Sequence, residues 1–206
     1  QMYGADGNPY GVEWHAIKSF HWDAPDITTL DDGGFAITGH YLGDVYAQIY
    51  DAEGNRVGTE FQVNAYTAIN PGGEKITALD GGGFVITWHS TTEPPDESYI
   101  GKTPYDVSAQ IYDANGDKVG TEFQVNTTST NIANYDSAIT ALYDGGFVIT
   151  WTSYEQGGGS GSINAQIYDA NGDKLGTEFQ VNKPSGRSKH EPSITTLDDG
   201  GFVITW

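Results

Sequence analysis

The chain has no cysteine, one methionine, and only nine lysines and arginines against 28 aspartates and glutamates. Without cysteine there is no disulfide framework, no thiolate metal site and no thiol nucleophile, although this does not fix the compartment, since bacterial secreted proteins often lack cysteine. The scarcity of basic residues leaves a formal net charge of -19 over 206 residues. No basic stripe offsets it, so phosphate backbones and anionic lipid surfaces are poor partners, and cations or neutral polar ligands are better ones. No apolar run approaches the roughly 18 residues that a membrane-spanning helix needs. No serine sits in a nucleophile elbow, and there is no His-Glu-x-x-His motif. The chain also lacks an initiator methionine and a signal peptide, and both ends fall inside repeats, so it reads as a mature segment or an excised piece.

What is present is glycine, 28 residues, with aromatics at 13%, the composition of an all-β protein with many tight turns. It is organised as a repeat. Gly-Gly-Phe-Val-Ile-Thr-Trp occurs at Gly82 to Trp88, Gly145 to Trp151 and Gly200 to Trp206, with a degenerate copy from Gly33 to Gly39. A second block, Ala-Gln-Ile-Tyr-Asp followed by Gly-Thr-Glu-Phe-Gln-Val-Asn, alternates with it at Ala47 to Asn64, Ala109 to Asn126 and Ala165 to Asn182. A period of about 50 residues points to a solenoid, propeller or array. In the third unit the alternation predicts four strands: run a, Ala138 to Leu142; run b, Phe147 to Trp151; run c, Asn164 to Tyr168; and run d, Glu178 to Val181. Asp-Gly-Gly joins a to b, and Asp-Ala-Asn-Gly-Asp joins c to d, both suited to hairpin turns.

Gln1 to Trp14 overlays Gln48 to Phe61, which makes the N-terminus a fourth c–d pair. The chain then holds four a–b and four c–d hairpins. This predicts one domain, a four-bladed β-propeller with four antiparallel strands per blade. The blades lie at 26–64, 75–126 and 137–182, and a closing blade combines 1–17 with 193–206. Closure would remove exposed sheet edges. An open β-rich array is the alternative.

In such a meander the a–b and c–d turns share one face and the b–c and d–a connections share the other, and only the second face varies between units. Its b–c stretches include 39–45, 89–107 and 152–163, and its d–a stretches include 18–26, 65–75, 127–137 and 183–193. His21, His40, His89 and His190 map there, with Trp22, Tyr41, Tyr66, Tyr99, Tyr105, Tyr135 and Tyr154 and the carboxylates Asp23, Asp44, Glu93, Asp96, Glu97, Asp136, Glu155 and Glu191. His40 and His89 follow run b in equivalent positions. Aromatic faces beside carboxylates suit sugar rings. The expected ligand-binding set is therefore Trp22, His21, Asp23, His40, Tyr41, His89, Tyr99, Tyr105, Tyr135, Tyr154 and His190.

The c–d turns Asp113-Ala114-Asn115-Gly116-Asp117 and Asp169-Ala170-Asn171-Gly172-Asp173 place oxygen side chains as a calcium loop does in its first half. Asp113, Asn115, Asp117, Asp169, Asn171 and Asp173 are the candidate metal ligands, with calcium the candidate ion and no cofactor required. The twelfth position, however, holds Gln124 rather than glutamate, and a bulged hairpin turn wants the same residues.

The strings Leu-Asp-Asp-Gly-Gly-Phe-Val-Ile-Thr-Trp, Ala-Gln-Ile-Tyr-Asp-Ala-Asn-Gly-Asp and Gly-Thr-Glu-Phe-Gln-Val-Asn resemble tandem repeats of very large secreted or surface proteins of bacteria, often beside calcium-binding RTX-type nonapeptides. The resemblance implies an extracellular or cell-surface location, adhesion-like or structural roles, calcium in the surroundings and neighbouring domains of a larger chain. It implies no catalytic residues, and the chain has no Gly-Gly-x-Gly-x-Asp nonapeptide. The expectation is a non-catalytic, lectin-like or adhesin module that recognises a glycan or cell-surface polysaccharide through its variable face. The alternatives are a glycoside hydrolase or lyase on that face, or a structural assembly module.

Overall fold

The computed structural model describes residues 1–10, 23–65, 69–91, 104–127, 132–155, 161–183 and 188–206. Sixteen strands are described and no helix is present among these residues. Three four-stranded meanders follow one another: β3 (Asp23–Thr29), β4 (Phe35–Tyr41), β5 (Asp44–Tyr50) and β6 (Arg56–Gln62); β7 (Ile69–Ala78), β8 (Phe84–Thr91), β9 (Asp106–Tyr112) and β10 (Lys118–Gln124); β11 (Ile132–Ala141), β12 (Phe147–Glu155), β13 (Ser162–Tyr168) and β14 (Lys174–Gln180). Each is antiparallel in the order a, b, c, d, as the repeat predicts. They are flanked by two two-stranded sheets, β1 (Met2–Tyr3) with β2 (Pro9–Tyr10), and β15 (Ser193–Thr196) with β16 (Phe202–Thr205).

The repeated residues have structural tasks. The asparagine ending each Phe-Gln-Val-Asn string turns its side-chain oxygen to the first amides of run c: Asn64 accepts from Val45 N at 2.7 Å, Asn126 from Val107 N at 2.8 Å and Asn182 from Ile163 N at 2.7 Å. The last glycine of each Asp-Gly-Gly is a steric requirement. A Cβ on Gly34, Gly83 or Gly146 would lie 2.3–2.4 Å from the carbonyl oxygen of Tyr50, Tyr112 or Tyr168, closer than any side chain tolerates.

Sheets pack face to face, with the core between them. Leu30, Ala47 and Ile49 of the first four-stranded sheet meet Ile76, Phe84, Ile86, Trp88 and Tyr112 of the second. Val85, Val107 and Ile111 of the second meet Phe147, Ile149, Trp151 and Tyr168 of the third. Trp88 and Trp151 are fully buried in these seams. Polar ties repeat across both seams: Tyr112 Oη donates to Val63 O and Tyr168 Oη to Val125 O, each at 3.4 Å, while Lys118 and Lys174 donate to the same two carbonyls at 2.7 and 3.0 Å. The a strands lie side by side, β3 against β7, β7 against β11 and β11 against β15. This is an all-β architecture of the propeller type.

Two expectations are corrected. The a and b strands run further into the variable face than alternation indicates, with β7 beginning at Ile69, β11 at Ile132, and β12 ending at Glu155. The a strands contain bulges there, which break the period-two pattern. In the first four-stranded sheet the b–c connection is only Leu42–Gly43, both at positive φ (49° and 90°), a two-residue hairpin turn rather than a loop. β1–β2 and β15–β16 are each described as a two-stranded sheet.

Candidate functional site

The bulges of the a strands organise the site. Gly73, Asp136 and Glu191 occupy the same position in successive repeats, and all three have positive φ, 64°, 53° and 53°. For an aspartate and a glutamate this conformation carries a cost of about 1–2 kcal/mol. The residues just before them, Gly72 and Tyr135, pair across the ladder with His89 and Thr152, and Asp23 pairs with His40. One layer of the propeller thus holds His40, His89, Tyr135, Asp136, His190 and Glu191.

Within it, His40 Nδ1 lies 3.0 and 3.1 Å from the two carboxylate oxygens of Glu74. Glu74 is fully buried, whereas the His40 side chain keeps 25% of its exposure. The pair ties β4 to β7, and the buried carboxylate fixes the ring so that Nε2 is the nitrogen left to act. His89 sits beside this pair. Burial first, and then the His40 charge, hold its pKa at about 4, so it is neutral at physiological pH. Its ring lies over Gly72 and Gly73, where a Cβ at residue 73 would come within 2.7 Å of Nδ1. The glycines replace the larger Tyr135-Asp136 and His190-Glu191 of the next repeats to make room for it.

From His89 an aromatic array extends. Tyr105 meets His89 edge-on at 5.6 Å between centroids, Tyr135 at 6.1 Å, and Tyr154 stacks on Tyr135 at 5.3 Å and 13°. The array is anchored at both ends. Asn134 donates from its backbone N and its Nδ2 to Tyr105 O at 2.9 and 3.1 Å, and Ser188 Oγ donates to Tyr154 Oη at 3.0 Å.

Beside Tyr135, Asp136 has its pKa raised, by burial first and then by the Glu191 charge, with His190 and Lys75 opposing. Asp136, Glu191, His190 and Lys75 therefore form one electrostatic cluster, in which one carboxyl is biased towards its acid form.

Of the predicted ligand-binding residues, His89, Tyr105, Tyr135 and Tyr154 come together in the array. His40 adjoins them through His89, and His190 belongs to the carboxylate cluster. Tyr41 does not join; it pairs with Asp44 at the tight turn. Asp23 is placed by its backbone pairing with His40, while His21, Trp22 and Tyr99 lie outside the described residues. Asp136 and Glu191 map to the variable face in the sequence, but the positive φ that unites them is invisible there. Glu74 is missed altogether, and its only trace is a carboxylate where the other repeats have Pro25, Ser137 and Pro192.

The acidic turns use their first carboxylate internally. Asp113 Oδ1 accepts from the backbone N of Asn115 and Asp117 at 2.8 and 2.9 Å, and Asp169 Oδ1 accepts likewise from Asn171 and Asp173 at 2.9 Å each. These bonds, from Asp117 and Asp173 foremost, lower the pKa of Asp113 and Asp169.

No protein-family model and no curated protein sequence matches the chain. Solved structures do. An endo-arabinase from Bacteroides thetaiotaomicron superposes with a TM-score of 0.52 at 13% identity, covering 97% of this chain and 74% of the other. An α-L-arabinanase from Penicillium chrysogenum, solved with arabinobiose, superposes with a TM-score of 0.57 at 12% identity, covering 88% of this chain but 57% of the other. At such identities the likeness is one of fold. Both structures are enzymes, and the expectation of a non-catalytic lectin-like or adhesin module is corrected on that ground.

Proposed function

We propose that the protein is a carbohydrate-active hydrolase acting on a polysaccharide of the arabinan class, with its centre at the bulged ends of the a strands. The carrying observation is the Asp136–Glu191 pair, two carboxylates at the same repeat position with the same positive φ of 53°, Asp136 at the β11 bulge and Glu191 just before β15, with Asp136 biased towards its protonated form by burial and the Glu191 charge. Glycoside hydrolysis needs this division of labour: one carboxylic acid protonates the leaving oxygen while an ionised partner attacks the sugar or activates water. Asp136 takes the acid role and Glu191 the partner role. The stacked Tyr135 and Tyr154 offer sugar rings an apolar face, and His40, oriented by Glu74, offers a polar contact. The arabinan class is drawn from the two enzymes that share the fold.

The scaffold is read as a four-bladed propeller whose fourth blade is shared between β1–β2 and β15–β16, and the protein as one that works outside the cell, where its polymer would be. Incubation with debranched arabinan, followed by reducing-sugar release, tests the activity. Asp136→Asn is expected to lower the rate on the order of 10²- to 10⁴-fold and to leave arabino-oligosaccharide binding in place. No release from arabinan by the unaltered protein overturns the reading.

A further inference from the structure

Several contacts that build a sheet or join it to the next are unmatched in β1–β2 and in β15–β16. In the three complete sheets a phenylalanine of b stacks on the tyrosine of c: Phe35 on Tyr50 at 4.9 Å and 9°, Phe84 on Tyr112 at 5.1 Å and 16°, Phe147 on Tyr168 at 5.0 Å and 12°. These pairs stand directly opposite in the ladder. In β16 the phenylalanine is Phe202, and in β1 the tyrosine is Tyr3. Tyr50, Tyr112 and Tyr168 are at most 1% exposed, but Tyr3 is 62% exposed; Trp88 and Trp151 are fully buried, but Trp206 is 51% exposed.

The glycines say the same. Gly34, Gly83 and Gly146 are each pressed against the carbonyl of that tyrosine, while the equivalent Gly201 meets only Asp199 and Leu197 atoms of its own hairpin. The turn glycines Gly116 and Gly172 pack on Ile49 with Phe61 and on Ile111 with Phe123 of the preceding sheet, but Gly7 meets nothing within 4 Å. Phe179, the residue equivalent to Phe61 and Phe123, is 39% exposed.

The β1–β2 hairpin is nevertheless built as a c–d hairpin. Gly4 N donates to Asn8 O at 2.9 Å, as Asp51 N does to Asn55 O and Asp113 N to Asp117 O. Tyr3 pairs with Pro9 as Tyr112 pairs with Lys118. Gln1 Nε2 donates to Met2 O as Gln48 Nε2 does to Ile49 O.

We propose that the free edge of β16 is the docking site for β1–β2 of the same chain, with Tyr3 opposite Phe202, Met2 opposite Val203 and Gln1 opposite Ile204. Tyr3 Oη then donates to Val181 O, and Gly7 covers Phe179, continuing the two seams already formed. The lysine tie of those seams has no counterpart, since Pro9 stands where Lys118 and Lys174 do. The inference rests on the four-blade reading and is independent of the hydrolase chemistry.

Because the chain has no cysteine, the variant Met2→Cys/Val203→Cys reads this register directly. Mild oxidation is expected to convert most of the protein to a covalent monomer with no free thiol and altered mobility on a non-reducing gel, reversed by dithiothreitol. Covalent dimers would mean that a second copy's hairpin occupies the edge, and persistent free thiols would mean that the edge stays open; either overturns the proposal. As a second readout, Gly201→Ala is expected to lower Tm about as much as Gly146→Ala, since both would then press a methyl onto a tyrosine carbonyl. An unchanged Tm for Gly201→Ala overturns it too. Neither measurement involves arabinan, so a failure of hydrolysis leaves this inference standing, and a failure here leaves hydrolysis open to its own test.

Discussion

At the scale of single residues, two titrating groups pull stability in opposite directions. His89 is held at about 4 in the folded protein, against roughly 6.5 for a histidine in an unfolded chain. Between these values the unfolded chain binds the extra proton, so stability is complete above pH ~6.5 and falls as the pH drops towards ~4. The total loss approaches about 3 kcal/mol. His89→Phe should flatten this slope, and urea unfolding of both proteins at pH 7 and 4.5 would reveal it; an equal acid loss in the variant would assign the slope elsewhere. Asp136 has the reverse sign. Its pKa is raised, so its folded form holds the proton more tightly and stability declines as the pH rises past ~3.9. Asp136→Asn should therefore be more stable than the parent at pH 7 while losing its hydrolytic activity. That combination separates a strained functional group from a structural one, because replacing a structural carboxylate would cost stability.

At the scale of elements, the glycine pair in β7 is the device that sets the array. Gly73 combines a φ of 64° with a Cβ position 2.7 Å from His89 Nδ1. Gly73→Ala should cost about 1–3 kcal/mol, from the left-handed backbone and from the overpacked ring together. It should also tilt His89 off Tyr105 and Tyr135, weakening oligosaccharide binding in calorimetry; a melt and an affinity like the parent's would show that the array tolerates the shift. Sequence periodicity found the strands but misjudged their ends. Lys75 to Leu79 and Ala138 to Leu142 alternate cleanly, whereas the residues before them straddle a bulge, so Ile69 to Glu74 and Ile132 to Ser137 read as loop although they are strand. His40 and His89 were legible because they recur at one position of the repeat. Glu74 was not, since a buried carboxylate follows no alternation and is recognisable only once His40 is seen 3.0 Å away.

At the scale of the molecule, the charge balance has a consequence for how the sheets stay together. The net charge is -19, and the few cations are only partly used to neutralise it: Lys118 and Lys174 are spent on the carbonyls of Val63 and Val125 at the seams. Carboxylates cluster at both ends of the strands, in the Asp-Gly-Gly and Asp-x-Asn-Gly-Asp turns at one end and around Asp136 and Glu191 at the other. Self-repulsion among exposed like charges opposes compaction and is screened over about 10 Å at 0.1 M salt. Raising sodium chloride from about 10 mM to about 0.5 M shortens that range to a few ångströms. The melting temperature should then rise by roughly 2–4 °C for each ~1 kcal/mol of repulsion relieved in a chain of this size. Calorimetric scans across that series test the point. A Tm that falls with salt would mean that favourable attractions between opposite charges outweigh the repulsion. A Tm that rises in calcium chloride well beyond sodium chloride of equal ionic strength would instead place a bound cation among the acidic turns.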